Sequence, residues 1–253
     1  MRPRIAIPLP HSIDPEYAER AYPQYAQAIE NAGAEAIQIP VNQPPAETMK
    51  QIERCDGVLL PGSRADVDPS KYNTSRDPRT NASDPGRDTV DELLLQDAYN
   101  MRKPILGICY GLQSLNVYRS GTLVQHIESQ INHAAGRKVP IAHNVELDAN
   151  SKLASIIRPA APGDASIPVN SSHHQSAQVV GDGLRAVAHC PNDGIIEAIE
   201  GTSPDHFVVA VQWHPERSFE EDKPSQALFR ALIEAARTWH KNLAGEFESV
   251  PRK

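Results

Sequence analysis

The stretch KPILGICYGLQSLNV, residues 103–117, sets Cys109 between two glycines where an apolar run gives way to a polar one. G-I-C-Y-G has the form of a nucleophile elbow, a sharp strand-to-helix turn that presents a reactive side chain. Gly107 and Gly111 stand two residues to either side, where a Cβ is expected to collide with neighbouring backbone. At the start of a helix the sulfur faces partly positive backbone N–H groups, so a lowered thiol pKa is expected. The competing account is a free cysteine buried as a small hydrophobe. A thiol that attacks an acyl carbon also needs a base, and the base an orienting partner. The segment VVAVQWHPERS supplies candidates for both, because His214 ends an apolar strand and Glu216 lies two residues on. Pro215 favours an extended backbone there, in which side chains at i and i+2 point the same way. A histidine at a strand end can also be no more than a polar terminus, and Trp213 beside it reads as core.

The elements that must position these residues follow from periodicity. Runs at 4–9, 34–40, 57–62 and 104–109 read as strands. Helices are expected between them: one carrying Ala18, Ala21, Tyr22, Tyr25 and Ile29 with Gly33 after its end, a short one near 46–54, and one over 89–102. GVLLPG is a continuous apolar run, as in a parallel strand covered on both faces. This β-α-β-α rhythm predicts a parallel sheet with helices on both sides. Residues 63–88 show no periodicity and follow a strand end, where open α/β sheets place ligand crevices. Further strands are expected near 143–147, 184–189, 194–199 and 207–213. A closing helix from about Pro224 carries Leu228, Phe229, Leu232, Ile233 and Ala236 on one face.

The chain's 253 residues suffice for one α/β domain over 1–253. A formal net charge of −7 without a Lys/Arg cluster argues against a nucleic-acid or anionic-membrane surface. Three widely spaced cysteines, Cys55, Cys109 and Cys190, read as free thiols of a reducing compartment. No signal peptide or membrane span is legible, so a cytoplasmic location is expected. His173 and His174 have His126, His133 and His143 near them in sequence. Their spacing matches no zinc pattern and no Cys or carboxylate cluster completes a set, so a pocket-shaping loop is expected and no metal or cofactor. Arg87 and Asp88 in DPGRD read as a solvated turn and helix N-cap, or with Arg87 holding a substrate carboxylate.

Cys109 in GICYGLQ with His214 and Glu216 in VQWHPE resembles the Cys-His-Glu triad of the class I glutamine amidotransferase-like superfamily. LLPGSRADVDP, DPGRD, VNSSHHQS and DGIIEAIE sharpen the likeness to the γ-glutamyl-γ-aminobutyrate hydrolase family. The resemblance implies a flavodoxin-like, mostly parallel sheet flanked by helices, with additional mixed or antiparallel strands, in a three-layer sandwich. It implies that Cys109 attacks a γ-amide carbonyl and forms a thioester, that His214 relays the proton and that Glu216 holds its tautomer. By the same resemblance the backbone N–H groups of Gly62 and Tyr110 would meet the oxyanion. Gln113 and the segment Ser172, His173, His174 and Gln175 would line the γ-glutamyl pocket. A role in putrescine catabolism and a small-molecule substrate are implied, with room for a homodimer. The pattern departs from many relatives at Ser63, Tyr110 and Ser120, and GICYG is also similar to the glutaminase domain of GMP synthetase. A glutaminase subunit that passes ammonia to a partner synthetase therefore stands as the alternative, and a non-enzymatic binding protein as a third.

Overall fold

The computed structural model describes residues 2–161 and 166–249. The two ends of the expected 1–253 domain and residues 162–165 lie outside the described residues. Strands and helices alternate through the first half: β1 (Arg4–Pro8), α1 (Pro15–Asn31), β2 (Glu35–Ile39), α2 (Pro45–Ile52), β3 (Gly57–Leu60), α3 (Pro85–Met101), β4 (Ile105–Ile108) and α4 (Tyr110–Tyr118). The second half is richer in strands, with β5 (Leu123–Val124), β6 (His143–Leu147), α5 (Lys152–Ile157), β7 (Ser166–Val169), β8 (Ser176–Ala177), β9 (Leu184–His189), β10 (Ile196–Gly201), β11 (Val208–Val211) and α6 (Lys223–Ser249).

Nine strands join in the order β2-β1-β3-β4-β11-β10-β9-β6-β7, and β5 pairs with β8 apart from them. From β2 to β11 every pairing is parallel, in the flavodoxin-like winding. From β11 to β7 every pairing is antiparallel. β11 is the seam. The expected α/β architecture is therefore present, with the antiparallel extension accounting for nearly half of the sheet.

Strand composition follows from coverage. In β1, Ile5 and Ile7 pack with α1 and α6 on one face while Ala6 packs with α2, α3 and α4 on the other. β11 does the same with Val209 and Val211 against Val208 and Ala210, which is why both strands read as unbroken apolar runs. β6, in the antiparallel half, instead alternates buried and exposed positions. α6 buries the expected stripe of Leu228, Phe229, Leu232, Ile233 and Ala236. Among the described residues no helix is long and apolar enough to cross a membrane.

Two expectations are corrected around the long loop. Helix α3 begins at Pro85 rather than Thr89, because the Asp84 side chain accepts from the Arg87 N–H and Pro85 suits the first helical position. Asp84, not Asp88, is the cap. The loop itself is braced by a 3-10 turn at Pro69–Tyr72 that Asp68 caps. Elements α5, β7, β5 and β8 were not anticipated.

Arg87 is neither solvated nor available to a substrate. It is fully buried, bonded to Asp91 at 2.6 Å, to the Pro10 carbonyl at 3.1 Å and to the Pro61 carbonyl at 2.7 Å. Its guanidinium lies 5.0 Å from the centre of the Tyr110 ring. One side chain thus ties α3 to the segments leaving β1 and β3, at the sheet edge where the pocket opens. Removing one partner of a buried ion pair leaves the other charge uncompensated, so Arg87→Met is expected to destabilise the fold by about 3–5 kcal/mol. Urea unfolding checks this, and Arg87→Met with Asp91→Leu should recover part of the loss.

Candidate functional site

Cys109 occupies the single-residue turn between β4 and α4, at φ 52° and ψ −105°. A non-glycine residue held there costs on the order of 1–3 kcal/mol and persists only where the surroundings impose it. The glycines show what imposes it. A Cβ at Gly111 would stand 2.2 Å from the Leu60 carbonyl oxygen, and one at Gly107 would stand 2.9 Å from both Ala210 Cβ and the Gly111 carbonyl oxygen. The helix leaves β4 pressed against β3, as the G-x-C-x-G spacing predicts.

His214 follows β11, two strands from β3 with β4 between them. Its Nδ1 lies 2.8 Å from Glu216 Oε1. The local backbone differs from the expected extended segment: Pro215–Arg217 form a 3-10 turn, with Pro215 at its first position. The fixed φ of proline suits a helical turn as well as an extended strand. The turn still brings carboxylate and imidazole together. Asn170 holds the histidine backbone in both directions, accepting from the His214 N–H at 3.0 Å and donating to its carbonyl at 2.8 Å. Asn170 belongs to the VNSSHHQS segment but was not singled out, because nothing in sequence says which strand end it reaches.

Cys109 and His214 line one pocket of about 310 Å³. Gly62 separates them: a Cβ there would lie 2.9 Å from His214 Cε1 and 3.6 Å from Cys109 Cβ. Burial dominates the electrostatics of both side chains. It pushes the Cys109 thiol up to about 12, against the opposing pull of Arg217 and the Tyr110 N–H. The expected lowering of the thiol pKa is not found, since desolvation of the buried sulfur outweighs the helix terminus. Burial also lowers His214, with Glu216 opposing. For Glu216, burial presses upward but is outweighed by His214 and Arg217, which hold the carboxyl below its ordinary range. The resting arrangement is a neutral thiol and a neutral imidazole whose Nδ1–H faces a carboxylate. His214 Nε2 is buried without a hydrogen-bond partner among the described residues.

Gln113, Ser172, His173, His174 and Gln175 all line this pocket. Gln113 donates to the Gln175 carbonyl at 3.1 Å, Ser172 accepts from Arg217 at 2.7 Å, and His174 lies 3.0 Å from Asp66. His126 contacts His174 through their Nδ1 atoms at 3.2 Å. His173 turns inward, with Nε2 3.7 Å from Glu197 beside His133 and His143, so a carboxylate does join the histidines that looked incomplete in sequence. Tyr110 is buried and its hydroxyl donates to Asp88, so its side chain is engaged away from the pocket. The Gly62 N–H donates to the Tyr25 hydroxyl at 3.1 Å. Sequence reasoning missed that contact, and it missed the four arginines of the lining, Arg20, Arg64, Arg137 and Arg217. Of these, Arg217 alone carries a signal in sequence, its place next to Glu216.

Residues 10–216 match the Peptidase C26 family. Similar proteins include a candidate glutamine amidotransferase of Mycobacterium tuberculosis, 36% identical over 215 residues that cover 84% of this chain and 66% of that one. The γ-glutamyl-γ-aminobutyrate hydrolase PuuD of Escherichia coli is 32% identical over 222 residues, 84% of each chain. Among solved structures, a candidate GMP synthase component from Thermoplasma acidophilum superposes at TM-score 0.65, covering 96% of this chain and 98% of that one at 13% identity, a likeness of fold. The match runs from the loop after β1 to Glu216 itself and so takes in the elbow, the long loop and the strand that precedes His214; the chain belongs to the Peptidase C26 family.

Proposed function

We propose that this chain is a cysteine-dependent hydrolase of γ-glutamyl amides, converting γ-glutamyl-γ-aminobutyrate to glutamate and γ-aminobutyrate. The observation that carries the reading is the strained Cys109 at the elbow, sharing a pocket with a neutral His214 whose Nδ1 is engaged by Glu216. In this reading His214 Nε2 removes the thiol proton as sulfur adds to the γ-carbonyl carbon. The C–N bond then breaks, the leaving amine takes the proton from His214, and a thioester remains. Water, deprotonated by the same nitrogen, attacks the thioester and releases glutamate and the thiol. The Tyr110 N–H meets the oxyanion, and the Gly62 N–H joins it by exchanging the Tyr25 hydroxyl for the developing charge.

The charge of the lining supports the substrate class. Arg20, Arg64, Arg137 and Arg217 line the pocket with Asp66, and although Arg64 also pairs with Asp14 and Arg217 with Glu216, the cations outnumber the carboxylates. That balance suits a ligand with two carboxylates and one ammonium, as γ-glutamyl-γ-aminobutyrate carries. Similarity to PuuD points the same way and suggests a role in putrescine breakdown. The second reading, a glutaminase subunit, is favoured by relatives described as glutamine amidotransferases.

A panel of γ-glutamyl amides assayed with the chain alone separates the two. Release of γ-aminobutyrate is expected, with kcat/KM at least tenfold above that for glutamine and loss of all turnover in Cys109→Ser. Ammonia release from glutamine that appears only with a second protein would favour the glutaminase. The pH profile tests the mechanism. Because burial holds His214 below 6.5, kcat/KM should rise with pH through a midpoint under 6.5. It should then stay level through the range near 8.5 where an ordinary thiol ionises. In Glu216→Gln the carboxylate that raises the His214 pKa is gone, so the midpoint should move further to acid while kcat falls roughly a hundredfold or more.

A further inference from the structure

One group of buried side chains has no part in the proposed hydrolysis. Three ring nitrogens converge on Oε1 of Glu197: His143 Nε2 at 2.9 Å, His133 Nδ1 at 3.1 Å and His173 Nε2 at 3.7 Å. None of the four side chains is more than 3% exposed. The outward nitrogens decide where the protons sit. His133 Nε2 lies 2.8 Å from Asp193 Oδ2, and His173 Nδ1 lies 2.9 Å from the Gln175 carbonyl oxygen. Both partners are acceptors, so the outer nitrogen of each of these two rings carries a hydrogen, and whenever the ring is neutral its inner nitrogen turns a lone pair toward the carboxylate. Among the described residues His133 Nδ1, His173 Nε2 and Glu197 Oε2 are buried without a hydrogen-bond partner, and so is the outer nitrogen of His143, Nδ1. A lone pair aimed at a carboxylate away from water is repelled unless a proton or a metal cation stands between them.

The geometry points to a site for a zinc-type divalent cation, held by His133 Nδ1, His143 Nε2 and Glu197, whose ligand atoms lie within 4.8 Å of one another. Two imidazoles and a carboxylate leave the fourth position of a zinc tetrahedron to water, and the Asp193 carboxylate on the outer nitrogen of His133 orients that ring as ligating histidines are oriented. Ligand bonds near 2.0–2.1 Å give a tetrahedron with edges of roughly 3.4 Å. The distances from His143 and His133 to Glu197 Oε1, 2.9 and 3.1 Å, approach that edge, whereas His173 Nε2, at 3.7 Å from Glu197, stands outside the group. A second grouping of His133, Cys190 and Asp193 exists, but it would use the His133 nitrogen already engaged by Asp193. The ligands come from β6, from β10 and from the loop bearing His133. A bound cation therefore clamps that loop, which also carries Gly136 and Arg137 of the pocket lining, to the sheet.

The full chain, stripped with a chelator and titrated with Zn²⁺ by calorimetry, tests the site. One ion per chain is expected, with a higher melting temperature in the loaded protein. His143→Ala and the near-isosteric Glu197→Gln should each weaken binding at least tenfold, while Cys190→Ser leaves it unchanged. Near-UV circular dichroism verifies that each variant is folded. Anomalous diffraction at the zinc edge should give a peak among the three ligand atoms. No binding by the parent, equal affinity in Glu197→Gln, loss in Cys190→Ser, or a peak at His126 and His174 instead would overturn the assignment.

Discussion

Helix α4 lies so close to strand β3 that only a hydrogen fits between Gly111 and the Leu60 carbonyl. That approach dictates the rest of the site. It leaves β4 one residue in which to reverse into the helix, and that residue, Cys109, takes a backbone conformation that L side chains rarely adopt. The strain persists because β4 is hydrogen-bonded on both sides, to β3 and to β11, and buried on both faces. The sulfur is thereby held where the C-terminal ends of three parallel strands meet, the crevice that open α/β sheets use for ligands.

The same burial sets the charge state of the pocket. Cys109 and His214 lie too deep to ionise easily, so both are uncharged at rest, whereas Glu216 keeps its charge through His214 and Arg217. In the proposed reaction the proton moves only when a substrate carbonyl is present to accept the sulfur's electrons, and water meets a thiol rather than a thiolate in between. Arg87 shows a different use of a buried charge. It is spent on two carbonyls and Asp91, and it fixes the segments that carry Pro10 and Pro61.

The parts of the site legible in sequence were those governed by local sterics. Glycines at two residues on each side of Cys109 report a close approach whatever the rest of the chain does, and continuous apolar runs report strands covered on both faces. His214 and Glu216 were legible as neighbours, but the backbone between them was misread because proline permits both an extended segment and a helical turn. The start of α3 was available in Asp84-Pro85 and was overlooked in favour of the apolar periodicity four residues later. The thiol pKa was not legible, since a helix terminus shows in sequence and the depth of burial does not. Glu197 was hidden for a topological reason. Its three histidines lie 24, 54 and 64 residues away along the chain; His143 meets it through the antiparallel pairing of β6, β9 and β10, and His133 and His173 reach it from loops.

Strand β11 is inserted late in the chain between β4, made about a hundred residues earlier, and β10. On a ribosome the elbow emerges first, with the edge of β4 unpaired and its thiol uncovered. Only when β11 docks is the second edge of β4 paired and His214 brought to the pocket that Cys109 lines. The parallel half of the sheet, and the pocket with it, is therefore completed by the last strand of the chain to be made.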